Sequence, residues 1–323
     1  MSNTAENDPS GAGRITDREI SVGICSRNRK GTLKLVLESL ADQSIHSERY
    51  EVVLIDDGST DGTREMIEEL DVPYRLTYGY QKHSALATAR NHGIRLSRGE
   101  VMLYIDDDVL ADHHLLEEHL RSHEQFQQCV VNGWVNHVKS AEIPKKAKFT
   151  MADISTSFFW TSNVSVRVDD LYRAGLFDES FKEYGWEDQE IGLRLMALGL
   201  VRKTNYKAIG YHIKKPPTSA NVSGSLNLAE AKARTALHYI KIHPRQRTRF
   251  STGTHPPRLA WAAFTNLGGF LERYCRKNLS VQDSIEKATQ TPLSRHQAWC
   301  LKQLSTIHYF RQLRKGEAQR DLG

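Results

Sequence analysis

The stretch Val101-Met102-Leu103-Tyr104-Ile105-Asp106-Asp107-Asp108 decides the reading of this chain. Five apolar residues rich in branched and aromatic side chains predict a buried strand. Three aspartates at its carboxyl end repel one another, and such crowding is tolerated where a cation or a positive group sits among them. In an open α/β sheet, that end of a strand is also where ligands bind. The stretch therefore proposes a divalent metal site able to hold a diphosphate. A solvated acidic turn leading into the next helix is the alternative.

Outward from this strand, helix and strand signals alternate. Ile20 to Cys25 and Tyr50 to Ile55 predict strands, and Leu33, Val36, Leu37 and Leu40 recur at helical spacing between them. Asp61 is placed to cap a helix whose buried face carries Met66, Ile67 and Leu70. A strand over Tyr74 to Tyr80 and a helix from Ser84 to Ser97 lead into the Asp106 strand. This βαβαβαβ order predicts a mainly parallel sheet with helices on both faces. Further on, a helix is expected over Leu115 to Phe126 and strands over Val130 to Val138, Phe158 to Val166 and Val201 to Ile213. A helix carrying Ile191, Leu195 and Leu198 stops at Gly199. Residues 214 to 227 are expected to form a loop or linker, and the rest to be helical, with helices over Leu259 to Tyr274 and Ala298 to Leu313.

The chain has 323 residues, of which 39% are hydrophobic, enough for one large domain with an appendage. Residues 1–200 hold 22 Lys+Arg against 33 Asp+Glu, a balance of −11, whereas residues 201–323 hold 22 against 6, a balance of +16. The second part is therefore expected to face an anionic partner or the acidic first part. Four widely spaced cysteines without a CxxC pair argue against a disulfide framework and fit a reducing compartment. Residues 1–17 are polar and are expected to form a disordered arm, not a secretory signal. No apolar run reaches the roughly 18 residues needed to span a bilayer. The expected location is cytoplasmic, with possible peripheral contact at an anionic membrane.

Three further groups carry chemistry. Asp56-Asp57-Gly58-Ser59-Thr60-Asp61-Gly62-Thr63 follows the second strand. A carboxylate there can accept from a base N–H or a ribose hydroxyl, and Gly58 permits a tight turn. Arg90-Asn91 lies on the helix before the Asp106 strand, where an arginine can reach a diphosphate or simply face solvent. Gly185-Trp186-Glu187-Asp188 opens a helix. Its carboxylates can complement the helix dipole, or they can hold a sugar hydroxyl against the Trp ring and deprotonate it. His119 and His123 stand four apart on a helix and are expected on an exposed face, since no third zinc ligand accompanies them. Arg245, Arg247 and Arg249 lack the interleaved aromatics of nucleic-acid recognition.

Taken together, Ser26-Arg27-Asn28-Arg29, Asp56-Asp57-Gly58-Ser59, Ala89-Arg90-Asn91-His92-Gly93-Ile94, Asp106-Asp107-Asp108, Gly175-Leu176-Phe177-Asp178-Glu179-Ser180-Phe181 and Gly185-Trp186-Glu187-Asp188 resemble the family 2 glycosyltransferases of the GT-A fold. The later segment is also similar to the catalytic region of galactosyl- and N-acetylgalactosaminyl-transferring enzymes. The resemblance covers roughly residues 18 to 215 and implies a Rossmann-like GT-A domain over 18–215, with a basic helical region over 216–323. It implies a nucleotide-diphosphate sugar donor, a UDP-sugar above all, Mn²⁺ or Mg²⁺, and transfer with inversion to a glycan, lipid-linked or small-molecule acceptor, with no nucleic-acid partner.

The resemblance also assigns residues. Asn28, Arg29, Asp56, Asp57, Arg90, Asp106 and Asp107 fall to the donor. Asp106 and Asp108 form the DxD motif, and His212 falls where related enzymes place a third metal ligand. Asp188 is the expected general base, and Glu187 with Trp186 would hold the acceptor. The first strand departs from the family pattern, since Cys25-Ser26-Arg27-Asn28 replaces Thr-Tyr-Asn. There is no Gln-x-x-Arg-Trp motif, which argues against a processive membrane synthase. A sugar nucleotidyltransferase would need a Gly-rich loop after the first strand. A glycan- or lipid-binding scaffold without activity is the non-enzyme alternative, against which the intact Asp106, Asp108, Glu187 and Asp188 stand.

Overall fold

A computed structural model describes residues 13–153, 155–214, 216–283 and 291–320. These fall into two compact units. One runs to Ser180 and resumes over Glu187–Lys214, and the other takes Phe181–Trp186 and the chain beyond residue 215.

The first unit follows the order β1 (Arg18–Ser26), α1 (Lys30–Leu40), β2 (Tyr50–Asp56), α2 (Thr63–Glu68), β3 (Arg75–Tyr80), α3 (Leu86–Leu96), β4 (Gly99–Ile105), β5 (Val109–Ala111), α4 (Leu115–Gln125), β6 (Cys129–Val138), β7 (Asn163–Arg167), α5 (Val168–Arg173), α6 (Glu187–Ala197) and β8 (Val201–Ile213). The eight strands form one sheet in the order β3-β2-β1-β4-β7-β6-β8-β5. β1, β2, β3 and β4 are parallel. β7 runs antiparallel to β4 and β6, and β5 antiparallel to β8. The sheet is thus parallel in its first half and mixed in its second.

Both faces are covered. Along β4, Val101, Leu103 and Ile105 enter a core that includes Leu33, Val36 and Leu37 of α1. Met102 and Tyr104 enter the opposite core with Leu171 of α5 and Ile191 and Leu195 of α6. Burial on two sides is why this strand reads as an unbroken apolar run rather than an alternation. The parallel register brings Ser26, Asp56 and the Asp106 end of β4 to one edge of the sheet.

Several sequence expectations are corrected. The strand expected over Phe158 to Val166 is confined to Asn163–Arg167. Gly62, with φ +82°, rather than Asp61 is the N-cap of α2. Asp61 instead accepts from Lys30 N and Thr63 Oγ1. Part of the expected N-terminal arm, residues 1–12, lies outside the described residues. The remainder is tied down, with Arg14 Nη1 donating to the Gly99 carbonyl at 2.8 Å. His119 and His123 are buried, not exposed, and bond to Ser165 and Asn163.

The second unit is helical: α7 (Val222–Ile242), α8 (Gln246–Thr252), α9 (Pro256–Thr265), α10 (Phe270–Asp283) and α11 (Arg295–Arg320). The linker expected up to residue 227 is shorter, because α7 begins at Val222. The single helix expected over Leu259 to Tyr274 is broken at Gly268 and Gly269, both at positive φ. Ala233 and Ala236 of α7 pack with Phe310 and Leu313 of α11, and Cys275 and Leu279 of α10 with Cys300 and Leu304. All four cysteines are free. No helix among the described residues is long and apolar enough to cross a membrane.

Candidate active site

The carboxyl ends of β1, β2 and β4 carry the charged residues singled out from sequence. Asp56 closes β2, with Oδ1 accepting from Ser59 N at 2.7 Å and Oδ2 from Tyr78 Oη at 2.8 Å. Asp57 accepts from Gln81 Nε2 and Ser84 N and meets His83 Nδ1 at 2.7 Å. Gly58 sits at φ +82°, and a Cβ there would come within 2.7 Å of His83 N, so only glycine fits this turn. Asn28, at φ +53°, accepts from Thr60 N at 2.8 Å and ties the end of β1 to the same loop.

After β4 the three aspartates point to different partners. Asp106 accepts from Ser162 Oγ, and Asp107 from Ser26 Oγ at 2.7 Å. Asp108 meets the Arg29 guanidinium, Nη1 at 2.5 Å, and the His212 imidazole, Nε2 at 3.2 Å. His212 is positioned by β8, where it pairs across the sheet with Val109 of β5 and, on the other side, with His137 of β6.

The electrostatics follow from these contacts. Burial pushes the Asp107 carboxyl up to about 6, against the pull of Arg29 and Ser26. Burial also opposes ionisation of Asp108, but the His212 and Arg29 contacts outweigh it and hold that carboxyl below its ordinary value. The bond to Asp108 lifts His212 above the usual imidazole value.

Two carboxylates and an imidazole are oxygen and nitrogen donors suited to Mn²⁺ or Mg²⁺. His212 Nδ1 is buried with no hydrogen-bond partner among the described residues. Asp108 and His212 already face each other, while Asp106 is turned to Ser162. Among the described residues no three His, Cys, Asp or Glu side chains converge as a ready cage. The donor set therefore fits a divalent cation in its chemistry, with Arg29 standing beside Asp108.

Arg90 lies elsewhere than on a solvent-facing helix surface. It is 5% exposed, and its guanidinium donates to Glu187 Oε1 and to Thr161 Oγ1, each at 2.7 Å. Burial disfavours its charge, but the Glu187 carboxylate outweighs this and keeps the guanidinium protonated. Glu187, 4% exposed, and Asp188 open α6 in its first turn, where the helix dipole favours a carboxylate. Asp188 is only partly buried, and its Oδ1 accepts from Gln189 N at 2.7 Å. The turn before them is unusual, since Gly185 and Trp186 both have positive φ, +108° and +72°. A bulky residue in that region is uncommon. Trp186 belongs to the helical unit, where its ring stacks on Tyr239.

Sequence reasoning gave no role to Ser26, Ser162, Thr161, His83 or His137. Ser26 was signalled by its place at a strand end. The others come from loops and strands whose pairing only the fold reveals.

Residues 21–181 match the family model described as glycosyl transferase family 2. The chain is 29% identical over 290 residues to a validoxylamine A glucosyltransferase of Streptomyces hygroscopicus subsp. limoneus, an alignment covering 78% of this chain and 60% of that protein. It is 26% identical over 249 residues to a chondroitin synthase of Escherichia coli, covering 62% of this chain and 35% of the other. The chain thus spans 60% of the length of the Streptomyces relative. Among solved structures, a mannosyltransferase of Pyrobaculum calidifontis in complex with GDP-Man and Mn²⁺ superposes with a TM-score of 0.59 at 16% identity, covering 95% of this chain and 89% of that one. S. aureus TarS 1-349 in complex with UDP-GlcNAc gives 0.54 at 16% identity, covering 94% and 92%. By the matching family model, residues 21–181 carry a glycosyl transferase family 2 domain, and the fold is shared with these glycosyltransferase neighbours.

Proposed function

We propose that this chain moves a sugar from a nucleotide-diphosphate sugar, a UDP-sugar, to an acceptor hydroxyl with inversion at the anomeric carbon. The observation that carries this reading is the gathering of Asp56, Asp57, Asp106, Asp107, Asp108 and His212 along one sheet edge of a family 2 domain.

In this reading the loop from Asp56 to Thr63, braced by Asn28, receives the base and ribose through Asp56 and Asp57. Their carboxylates keep lone pairs beyond those already engaged. Arg29 lies on the diphosphate side, next to Asp107 and Asp108. Asp108 and His212, with Asp106, would hold Mn²⁺ or Mg²⁺. When bound, such a cation supplies charge neutralisation for the departing diphosphate.

Asp188 takes the proton of the acceptor hydroxyl. The hydroxyl oxygen forms its bond to the anomeric carbon from the face opposite the leaving group. The bond from that carbon to the diphosphate oxygen breaks, and its electron pair leaves with the nucleoside diphosphate. One displacement suffices, and no covalent intermediate on the enzyme is needed. The inverting glycosidases use a base in the same way on the side of attack. Glu187 orients the acceptor, and Arg90 acts through Glu187 as a positioning residue.

The test is release of nucleoside diphosphate from each common nucleotide sugar, with Mn²⁺ or Mg²⁺ and with or without chelator. Chelator-sensitive release from one donor is expected. Failure of every donor to be consumed, together with no metal-dependent UDP binding by calorimetry, would overturn the reading.

A further inference from the structure

The helical unit carries a cavity lined by none of the strand-end aspartates. Its volume is about 500 Å³, within the roughly 300–1,000 Å³ of small-ligand sites. The end of α8, the start of α9 and one face of α11 form its walls, together with Trp186 and Lys232.

Its aromatic surfaces are held in place. Trp186 Nε1 donates to the Lys232 carbonyl at 2.9 Å, and its ring stacks on Tyr239 with an interplanar angle of 18°. Tyr309 Oη donates to the Thr252 carbonyl at 2.8 Å, which joins α11 to the end of α8. Gly253 turns the chain between α8 and α9 at φ +71°. That positive φ strains the turn for any other residue, while a Cβ there would only touch Phe310 Cζ at 3.4 Å.

The charges are of one sign. Lys232, Arg258 and Lys302 line the cavity, and among the described residues no Asp or Glu does. Lys232 Nζ is 5.2 Å from the Trp186 ring centre and Arg258 Cζ 5.5 Å from that of Phe310. Among the described residues none of the three cations is paired with a carboxylate, whereas Glu183 pairs with Arg234, Glu230 with His308, and Glu272 with Arg276 and Arg311. Flat rings offer the apolar face of a sugar a surface, and unpaired cations beside them select a carboxylate or phosphate.

We propose that this cavity binds an anionic sugar, its ring on the aromatic surfaces and its carboxylate or phosphate met by Lys232, Arg258 and Lys302. Use of the site for an acceptor rests on the transferase reading, but binding itself does not.

The experiment is calorimetry on the full chain at low salt. The probes are a glucuronate-containing tetrasaccharide, its carboxyl-reduced neutral form, and a neutral tetrasaccharide carrying one phosphate. At least one anionic probe is expected to bind ten-fold or more tighter than the neutral form, and the stronger of the two identifies the anion. Arg258→Gln with Lys302→Gln should weaken it at least ten-fold. Lys241→Gln with Arg245→Gln, which removes the same charge away from the cavity, should change it less than two-fold. Equal binding of the neutral probe, or equal loss in both charge variants, would overturn the proposal. So would binding of no sugar while phosphatidylglycerol vesicles bind and lose affinity in the cavity variant. Nucleoside diphosphate release is read separately: if it fails while sugar binding persists, only the transferase reading falls.

Discussion

Arg29 Nη1 stands 2.5 Å from Asp108 Oδ2 and 3.3 Å from Asp107 Oδ1, so a guanidinium already supplies positive charge to the carboxylates after β4. Three adjacent aspartates need such a counter-charge. Half of the Arg29 side chain is exposed, so the contact can open.

Arg29→Gln should therefore lower metal-free stability by about 1 kcal/mol, the scale of a partly exposed charge-assisted bond. Added Mn²⁺ should restore the melting temperature, and by more than it shifts the parent chain. Thermal melts with and without Mn²⁺ check this. A variant that melts like the parent without metal would show that Arg29 does not balance the cluster.

Asp188→Asn should reduce transfer by roughly 10²–10⁴-fold, the range of general-base contributions, while donor affinity stays within about two-fold. The isosteric amide cannot accept the acceptor proton, yet the first turn of α6 keeps its shape. Turnover and calorimetric UDP binding on the same preparation separate the two effects. Near-normal turnover would place the base elsewhere.

Arg90 and Glu187 form an ion pair that is almost wholly buried. Removing one partner leaves a lone buried charge, at a cost of about 3–5 kcal/mol. Arg90→Met and Glu187→Gln should each show this order of loss in urea denaturation, and the double variant should lose less than the sum of the two. Additive losses would show that the pair is not coupled. The coupling also means that low activity in a Glu187 variant must be corrected for the folded fraction before Glu187 is given an acceptor role.

Legibility from sequence followed the range of the forces involved. β2 and β4 announce themselves because each is a local apolar run, and the stop at Gly199 is a local φ preference, +88°. Asp106, Asp107 and Asp108 were readable as a cluster for the same reason. β5 was not, since three residues carry too little pattern and gain their pairing only from β8. The burial of Arg90 was not legible because its partner Glu187 is 97 positions away. His119 and His123 read as a polar helix face because Ser165 and Asn163, which satisfy them, arrive on β7 more than 40 positions later.

Those two histidines set the acid limit of the fold. One proton assignment satisfies the whole chain of contacts: His119 Nε2–H donates to Asn163 Oδ1, Ser165 Oγ–H to His119 Nδ1, and His123 Nε2–H to Ser165 Oγ. Both rings are neutral in it, and a further proton on His119 Nδ1 would face a Ser165 oxygen already engaged by His123. Burial lowers His119 to about 4 and His123 to about 3. Because the folded values lie below the ordinary imidazole value of about 6.5, their stabilisation is complete above that pH and is lost as pH falls through the folded values. The full loss is on the order of 3 kcal/mol for His119 and 5 kcal/mol for His123. Asp107 works the other way: its carboxyl, raised to about 6, contributes stability at low pH that disappears as pH rises through that value. Stability of the parent chain should therefore fall as pH drops from 6.5 to 4. The difference between the parent and His123→Gln isolates one ring, and that variant, less stable at pH 7.5 through lost packing, should show a shallower decline. Urea midpoints from pH 4 to 8 supply the measurement, and parallel curves for the two proteins would show that His123 carries no share of the acid sensitivity.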